Sequence, residues 1–249
     1  MQEKIRISVV SYLNSKPFVH GLLSGLLDGR AVIELDIPSV CSEKLIAGQT
    51  DIGLVPVATL ARMSHYHIIS DYCIGADGEV SSVLLLSEVP MNEIEEILLD
   101  YQSRTSVNLA RVLAKNFWKI SPAWKDTSSD YEKKISGKTA GVVIGDRALL
   151  LKDKFQYAYD LSAEWKKFTG LPFVFACWVA SKEIPADFIR VFNEALKTGL
   201  ENISLVSINE ANDLFSAQVI EEYLTKYIDF SFDEKKKIAL KKFLDLIEK

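Results

Sequence analysis

The stretch Ile5–Phe18, with the sequence IRISVVSYLNSKPF, predicts a strand that ends in a polar turn and continues into a helix. The apolar residues of positions 5–10 are β-branched and too few to cross a membrane, which is typical of a buried strand. Ser11 and Asn14 follow it, and Pro17 stands where the first turn of a helix tolerates proline. Such a junction directs backbone N–H groups and small polar side chains at one spot, which favours an anion.

The composition is that of a globular protein with room for a large core. The chain has 249 residues, 48% of them hydrophobic and 25% charged, enough for one big domain or two lobes. Its formal net charge is −5, and no basic block offsets it, which argues against nucleic acid as a main partner. An anionic ligand would therefore be held by local dipoles and a few cations.

The cysteines and the N-terminal segment indicate the compartment. Cys41, Cys73 and Cys177 stand far apart in apolar surroundings, which predicts buried free thiols in a reducing compartment. The opening MQEKIRISVV lacks the apolar run and cleavage site of a signal peptide, and no segment reaches the length of a membrane span. We therefore expect a cytoplasmic protein without a membrane partner, whose oligomeric state the sequence does not define.

Alternating strands and helices with short connections predict a mostly parallel sheet with helices on both faces. Two long apolar strands, around Ser82–Leu86 and Phe173–Ala180, bracket a central block with strands and helices of its own. We predict an α/β protein with residues 1–86 and 178–249 in lobe 1, which holds both termini, and 87–177 in lobe 2. Because ligands of α/β lobes bind at the carboxyl ends of strands, the predicted site is the cleft between the lobes.

Six motifs in order resemble one known family. They are SYLNSKPF (11–18), DIGLVPVA (51–58), SSVLLLS (81–87), SRTSVNLARVL (103–113), VIGDRAL (143–149) and GLPFVFACWV (170–179). In these motifs the chain resembles the chorismate dehydratases of the futalosine route to menaquinone. The resemblance implies a fold similar to the type II periplasmic binding proteins. It also implies loss of water from chorismate to give 3-[(1-carboxyvinyl)oxy]benzoate, with no metal or organic cofactor.

Chorismate carries two carboxylates, so the resemblance implies a site with two anion-binding turns. The sequence contains two strand-to-helix turns rich in small donors, with Ser11, Asn14 and Ser15 in one and Ser103, Thr105 and Ser106 in the other. Each helix N-terminus is worth about 1–2 kcal/mol to a partly buried carboxylate. The alternative is that these side chains are ordinary helix caps, a role that Ser, Thr and Asn often have.

Five further residues are candidate substrate contacts. Ser81 and Ser82 lie at the first strand that links the lobes, Gly145 and Asp146 follow another buried strand, and Phe173 lies in the second linking strand. The alternatives are core packing for the aromatic residue and capping of a helix or loop for the carboxylate.

The elimination implied by the resemblance removes the C3 proton and the C4 hydroxyl, which requires a base. None of the six motifs contains His or Glu. The hypothesis is that the enolpyruvyl carboxylate of the substrate takes the proton, since a well-oriented internal group reaches effective molarities of about 10⁵ M or more. Asn14 is then the candidate catalytic residue, which hydrogen-bonds the departing hydroxyl or the carboxylate. Lys16, Arg104 and Arg147 are candidate counter-charges or solvated surface residues.

Three alternative functions stay open at the level of sequence. A non-catalytic binding protein for a small carboxylate shares the fold, and so does a ligand-sensing regulatory domain. The 1,4-dihydroxy-6-naphthoate synthases of the same pathway are also similar in fold. That last family usually opens with a Ser-Pro-Cys-Pro-Asn type of turn, which this chain lacks.

Overall fold

The computed structural model describes residues 4–247, which form eleven strands and nine α-helices. The strands are β1 (Ile5–Val10), β2 (Ala31–Asp36), β3 (Ile52–Pro56), β4 (His67–Ala76), β5 (Val83–Ser87), β6 (Glu96–Leu99), β7 (Ala123–Asp126), β8 (Thr139–Ile144), β9 (Tyr157–Asp160), β10 (Phe173–Ala180) and β11 (Asp229–Ser231). The helices are α1 (Lys16–Leu22), α2 (Pro38–Ile46), α3 (Arg104–Leu113), α4 (Asp146–Leu151), α5 (Leu161–Thr169), α6 (Ala186–Glu201), α7 (Ile203–Glu210), α8 (Ala217–Glu222) and α9 (Glu234–Ile247).

Short helices of other types connect these elements. The 3₁₀ helices that matter for the site are Leu13–Ser15, between β1 and α1, and Lys152–Lys154, directly after α4. A π-helical turn, Ala114–Trp118, extends α3 at its C-terminal end. A further 3₁₀ helix, Val57–Arg62, follows β3.

The chain divides into two compact units, each with its own sheet. Unit 1 comprises the described residues up to Gly75 together with Val174–Asp233. Unit 2 comprises Ala76–Phe173 together with the described residues from Glu234 onward. The chain therefore passes from one unit to the other at three places.

The observed boundaries differ from the predicted ones at three places. Residues 174–177 belong to unit 1, whereas the prediction placed them in lobe 2. Residues 76–86 and helix α9 belong to unit 2, whereas the prediction placed them in the lobe with the N-terminus. The ring of Phe243 in α9 lies 6.1 Å from that of Trp165 and 5.0 Å from that of Phe173, both in unit 2. Burial of this apolar ring ties α9 to unit 2.

The sheet of unit 1 has the strand order β11-β4-β10-β3-β1-β2. β1 pairs in parallel with β2 and β3, and β10 runs antiparallel to β3. Helix α1 packs on α6 at very short range: a Cβ on Gly21 would lie 2.0 Å from the Ala195 carbonyl oxygen. This close crossing fixes the helix that follows the Asn14 turn.

The sheet of unit 2 has the strand order β7-β6-β8-β5-β9. β6 pairs in parallel with β7 and β8, whereas β5 is antiparallel to both β8 and β9. Both sheets are thus mixed, and the prediction of a mostly parallel sheet is wrong. β5 and β10 each join their sheet close to a place where the chain passes from one unit to the other, so no crossover helix within a single sheet sets their direction.

Candidate active site

The polar turn of unit 1 follows the carboxyl end of β1. The Ser11 side chain is exposed, and its backbone N–H donates to the Asp36 carbonyl at 3.2 Å. The Ser15 hydroxyl is buried; it accepts from the Tyr12 N–H at 3.1 Å and donates to the Val10 carbonyl. Ser15 therefore holds the turn together and is not directed at a ligand.

Asn14 differs from its neighbours because its side-chain amide oxygen makes no hydrogen bond within residues 4–247. The residue is half-buried, and its Oδ1 atom is buried with no hydrogen-bond partner within residues 4–247. A buried polar atom without a partner costs about 1–3 kcal/mol. A donor on a bound ligand, such as a hydroxyl group, would satisfy this acceptor, so the atom suits the role expected for Asn14.

The polar turn of unit 2 is the N-terminus of α3. Ser103 caps this helix: its Oγ accepts from the Ser106 N–H at 3.1 Å, and its hydroxyl lies 2.8 Å from the Ser106 hydroxyl. Thr105 and Ser106 are buried. Ser103 thus has the capping role that the sequence left as an alternative, and this cap shapes the helix end that would attract an anion.

A buried ionic cluster around Asp100 stabilises the turn that precedes α3. The Asp100 carboxylate accepts from Arg147 Nη2 at 2.7 Å, from the Tyr131 hydroxyl at 2.8 Å and from the Gln102 N–H at 2.8 Å. Arg147 also pairs with Glu132. Burial raises the pKa of Asp100, and the charge of Arg147 opposes that shift. Arg147 is therefore an internal counter-ion, which joins the turn after β6 to the start of α4.

Ser82 and Gly145 come together at one end of unit 2. The antiparallel register of β5 and β8 places Val83 opposite Ile144, and the Gly145 N–H donates to the Ser82 carbonyl at 2.7 Å. Ser81, the residue before Ser82, has a left-handed backbone with φ of 63°, which is uncommon for a residue with a side chain. Ser81, Ser82 and Gly145 are thus neighbours, as the sequence could not show.

Lys152 is a functional candidate that sequence reasoning missed. Its Nζ lies 3.4 Å from the Ser81 hydroxyl oxygen, its side chain is half-buried, and it forms no ion pair within the described residues. By contrast, Lys16 of α1 pairs with Glu210 at 2.9 Å. No local motif surrounds Lys152 in the sequence, and only the fold brings it to Ser81.

Two other candidate residues, Phe173 and Asp146, have contacts typical of a core residue and of a helix N-terminus. Phe173 is 1% exposed, and its ring packs edge-on against Trp165 and Phe243 in the hydrophobic core of unit 2. Its assignment as a substrate contact stays a prediction. Asp146, half-buried, is the first residue of α4, where a carboxylate stabilises the helix N-terminus.

The cysteines and the remaining titratable groups complete the electrostatic description. Cys41, Cys73 and Cys177 are buried, as predicted, and form no disulfide within residues 4–247; burial raises the pKa of both Cys41 and Cys177 to about 12. Within residues 4–247, no three His, Cys, Asp or Glu side chains are grouped so that they could hold a metal ion. None of the helices formed by these residues combines the length and the apolar character needed to cross a membrane.

Solved structures define the class of protein. A crystal structure of a protein from Archaeoglobus fulgidus matches with a TM-score of 0.74 at 13% identity, over 98% of this chain and 97% of that one. A Candida albicans protein, whose title describes the generic periplasmic binding protein fold, matches with a TM-score of 0.63 at 15% identity, over 99% and 90% of the two chains. The chain therefore has an α/β fold similar to that of the periplasmic binding proteins, as predicted.

The sequence then defines the family within that class. Residues 5–249 match the family described as menaquinone biosynthesis, and this chain belongs to it. Chorismate dehydratase of Thermus thermophilus is 25% identical over 258 residues, which cover 95% of this chain and 92% of that protein. Chorismate dehydratase of Campylobacter jejuni is 28% identical over 237 residues, which cover 94% and 89%. The family expected from the six motifs is confirmed.

Proposed function

We propose that this protein is a chorismate dehydratase, a hydro-lyase of menaquinone biosynthesis by the futalosine route. It converts chorismate to 3-[(1-carboxyvinyl)oxy]benzoate and water. The family, the two named relatives and the fold all support this proposal. The single observation on which the site assignment depends is the buried, unpartnered amide oxygen of Asn14 at the end of β1.

The elimination breaks two bonds of the substrate. The C3–H bond breaks and its electrons form the new ring double bond, while the C4–O bond breaks and the hydroxyl leaves as water with the proton removed from C3. In our proposal the enolpyruvyl carboxylate of the substrate takes the C3 proton, because positioning alone supplies a large effective molarity. The Asn14 Oδ1 atom accepts a hydrogen bond from the C4 hydroxyl and orients it for departure.

The carboxylates of the substrate have two kinds of partner in this chain. The N-terminus of α3, shaped by the Ser103 cap and flanked by Thr105 and Ser106, offers the positive end of a ten-residue helix. The Ser81 hydroxyl and the Lys152 ammonium group offer a second set of donors in unit 2. Lys152 supplies positive charge in a chain whose net charge is −5. We include Ser11 and Ser82 as further contacts.

We further propose that the enzyme works in the cytoplasm. Buried cysteines that form no disulfide within residues 4–247 are compatible with a reducing compartment.

Incubation of the purified protein with chorismate tests the proposed activity. We expect loss of the chorismate absorbance and formation of a product with the mass and chromatographic behaviour of 3-[(1-carboxyvinyl)oxy]benzoate. Binding of chorismate without turnover would favour a non-catalytic carboxylate-binding protein. Absence of both binding and turnover would contradict the assignment of substrate.

A further inference from the structure

Asp160, at the end of β9, accepts four backbone hydrogen bonds. Its Oδ2 atom accepts from the Val80 N–H at 2.9 Å and from the Ser81 N–H at 2.6 Å. Its Oδ1 atom accepts from the Ser162 and Ala163 N–H groups, both at 3.0 Å. One carboxylate therefore ties the segment before β5 to the first turn of α5.

This tie acts on a backbone conformation that would otherwise be disfavoured. Ser81 is 2% exposed and has a φ of 63°, a region that residues with a side chain rarely occupy and that persists only when the surroundings impose it. The two N–H groups directed at Asp160 Oδ2 are those of Ser81 itself and of Val80 before it. Asp160 thus contacts this turn directly, and its hydrogen bonds with Val80 and Ser81 hold the left-handed backbone conformation of Ser81.

The turn presents candidate binding groups in defined positions. The Ser81 hydroxyl oxygen lies 3.4 Å from Lys152 Nζ, and the Ser82 carbonyl accepts from the Gly145 N–H at 2.7 Å. A rotation of the Ser81 backbone would move its hydroxyl away from Lys152. The distance between the Ser81 hydroxyl and Lys152 Nζ therefore depends on the backbone conformation that Asp160 stabilises.

We propose that Asp160 is a positioning residue of this site, which fixes the Ser81–Ser82 turn so that the Ser81 hydroxyl and Lys152 together bind a carboxylate of the substrate. The inference rests on the proposed function. Asp160 itself touches backbone groups and acts through Ser81.

The protonation of Asp160 offers a readout that a purely structural role would not give. Burial raises the pKa of Asp160 to about 6, and the charge of Glu79 adds to that shift. Other charged groups on these elements are Lys152, the ion pair between Asp77 and Lys166 of α5, and the ion pair between Glu164 and Lys167 within α5. Protonation of the Asp160 carboxylate places an O–H group where backbone N–H groups now donate, which weakens its hydrogen bonds to the Ser81–Ser82 turn. We therefore expect KM for chorismate to rise as the pH falls below about 6.

Asp160→Ala and Asp160→Asn test the proposal with chorismate as substrate. Asp160→Ala removes both halves of the tie, and we expect KM to rise at least tenfold while kcat stays within threefold of wild type. Both variants lack the titrating group, so the loss of kcat/KM below pH 6 should disappear. Ser216→Ala, which removes the cap of α8 in unit 1, is the matched control for helix capping and should keep the wild-type KM.

The outcomes separate this inference from the proposed function. If wild type does not convert chorismate, the proposed function fails. If wild type converts it, but the folded Asp160 variants keep both its KM and its pH profile, the positioning role is wrong. If the variants do not fold, the wild-type enzyme decides: a KM that is constant from pH 5 to pH 8 overturns the inference, and an acid-side rise near pH 6 supports it.

Discussion

Ser103 shows how a single hydroxyl contributes to both stability and binding. Because its Oγ caps α3 through the Ser106 N–H, Ser103→Ala should lower the free energy of unfolding by about 1 kcal/mol. It should also raise KM for chorismate, since the helix end loses its shape. Urea denaturation and steady-state kinetics measure the two effects. Ser216→Ala should lose similar stability with no change in KM, and an unchanged unfolding free energy for Ser103→Ala would refute the capping role.

Arg147 is expected to matter for stability more than for substrate charge. Arg147→Met leaves Asp100, whose side chain is fully buried, without its cationic partner, and breaking such a pair costs about 3–5 kcal/mol. Differential scanning calorimetry at pH 7 should show a clear fall in Tm. If the variant kept the wild-type Tm and lost only chorismate affinity, Arg147 would be a substrate ligand and our description of the cluster would be wrong.

At the residue scale, the sequence predicts the type of side chain but not which polar atoms stay available. Ser15 and Ser103 match the expected pattern of small donors, yet their hydroxyls are used within their own turns. Asn14 keeps an unpaired oxygen, which depends on the path of the chain around it. Lys152 approaches Ser81 across 71 positions of sequence, and no local pattern encodes that contact.

The crossing of α1 and α6 is the element-scale feature with the sharpest expected response. A Cβ on Gly21 would lie 2.0 Å from the Ala195 carbonyl oxygen, whereas a Cβ on Gly48 would meet nothing within 4 Å. Gly21→Ala should therefore force the helices apart and cost roughly 3 kcal/mol or more, beyond ordinary overpacking. Gly48→Ala should cost only about 1 kcal/mol through its positive φ of 68°. Urea denaturation of both variants checks this, and equal losses would contradict the close crossing.

Elements with strong apolar patterns could be predicted, and those without them could not. The buried strands β1 and β10 lie close to their predicted positions because β-branched and aromatic runs dominate them. Strand β7 was missed because it is an edge strand of mostly exposed residues, Ala123–Asp126. Helix α1 ends at Leu22, and Leu23 after it is 65% exposed, so the apolar residues beyond Leu22 do not mark a longer helix.

The pH dependence of folding is a property of the whole molecule to which Asp51 contributes. Burial alone would raise the pKa of this carboxyl, but hydrogen bonds from Arg6 and Lys182 lower it below its usual range. Asp51 therefore stabilises the folded state above about pH 4, and that contribution is lost as the pH falls further. Asp51→Asn should be less stable than wild type by about 1–2 kcal/mol at pH 7, since its partners are partly exposed. Urea denaturation from pH 7 to pH 2 should show that the difference in unfolding free energy between wild type and Asp51→Asn becomes smaller as the pH falls. A difference that stays constant would count against this linkage.

At the scale of the whole molecule, the division into two α/β units follows from the two long apolar strands that bracket the central block. The exact boundaries of the two units could not be predicted from those strands, because they depend on which unit α9 belongs to. The aromatic contacts of Phe243 with Trp165 and Phe173 decide that question, and they join residues about 70 positions or more apart. Such contacts have no signature in the local periodicity of a single sequence.

The kinetics of Asn14→Ala with chorismate test the central claim most directly. Asn209→Ala, an exposed position on α7, serves as the matched control and should behave as wild type. If the Asn14 amide orients the departing hydroxyl, kcat should fall by about a hundredfold or more, while KM changes only a few-fold. A folded Asn14→Ala variant with the wild-type kcat would contradict the account.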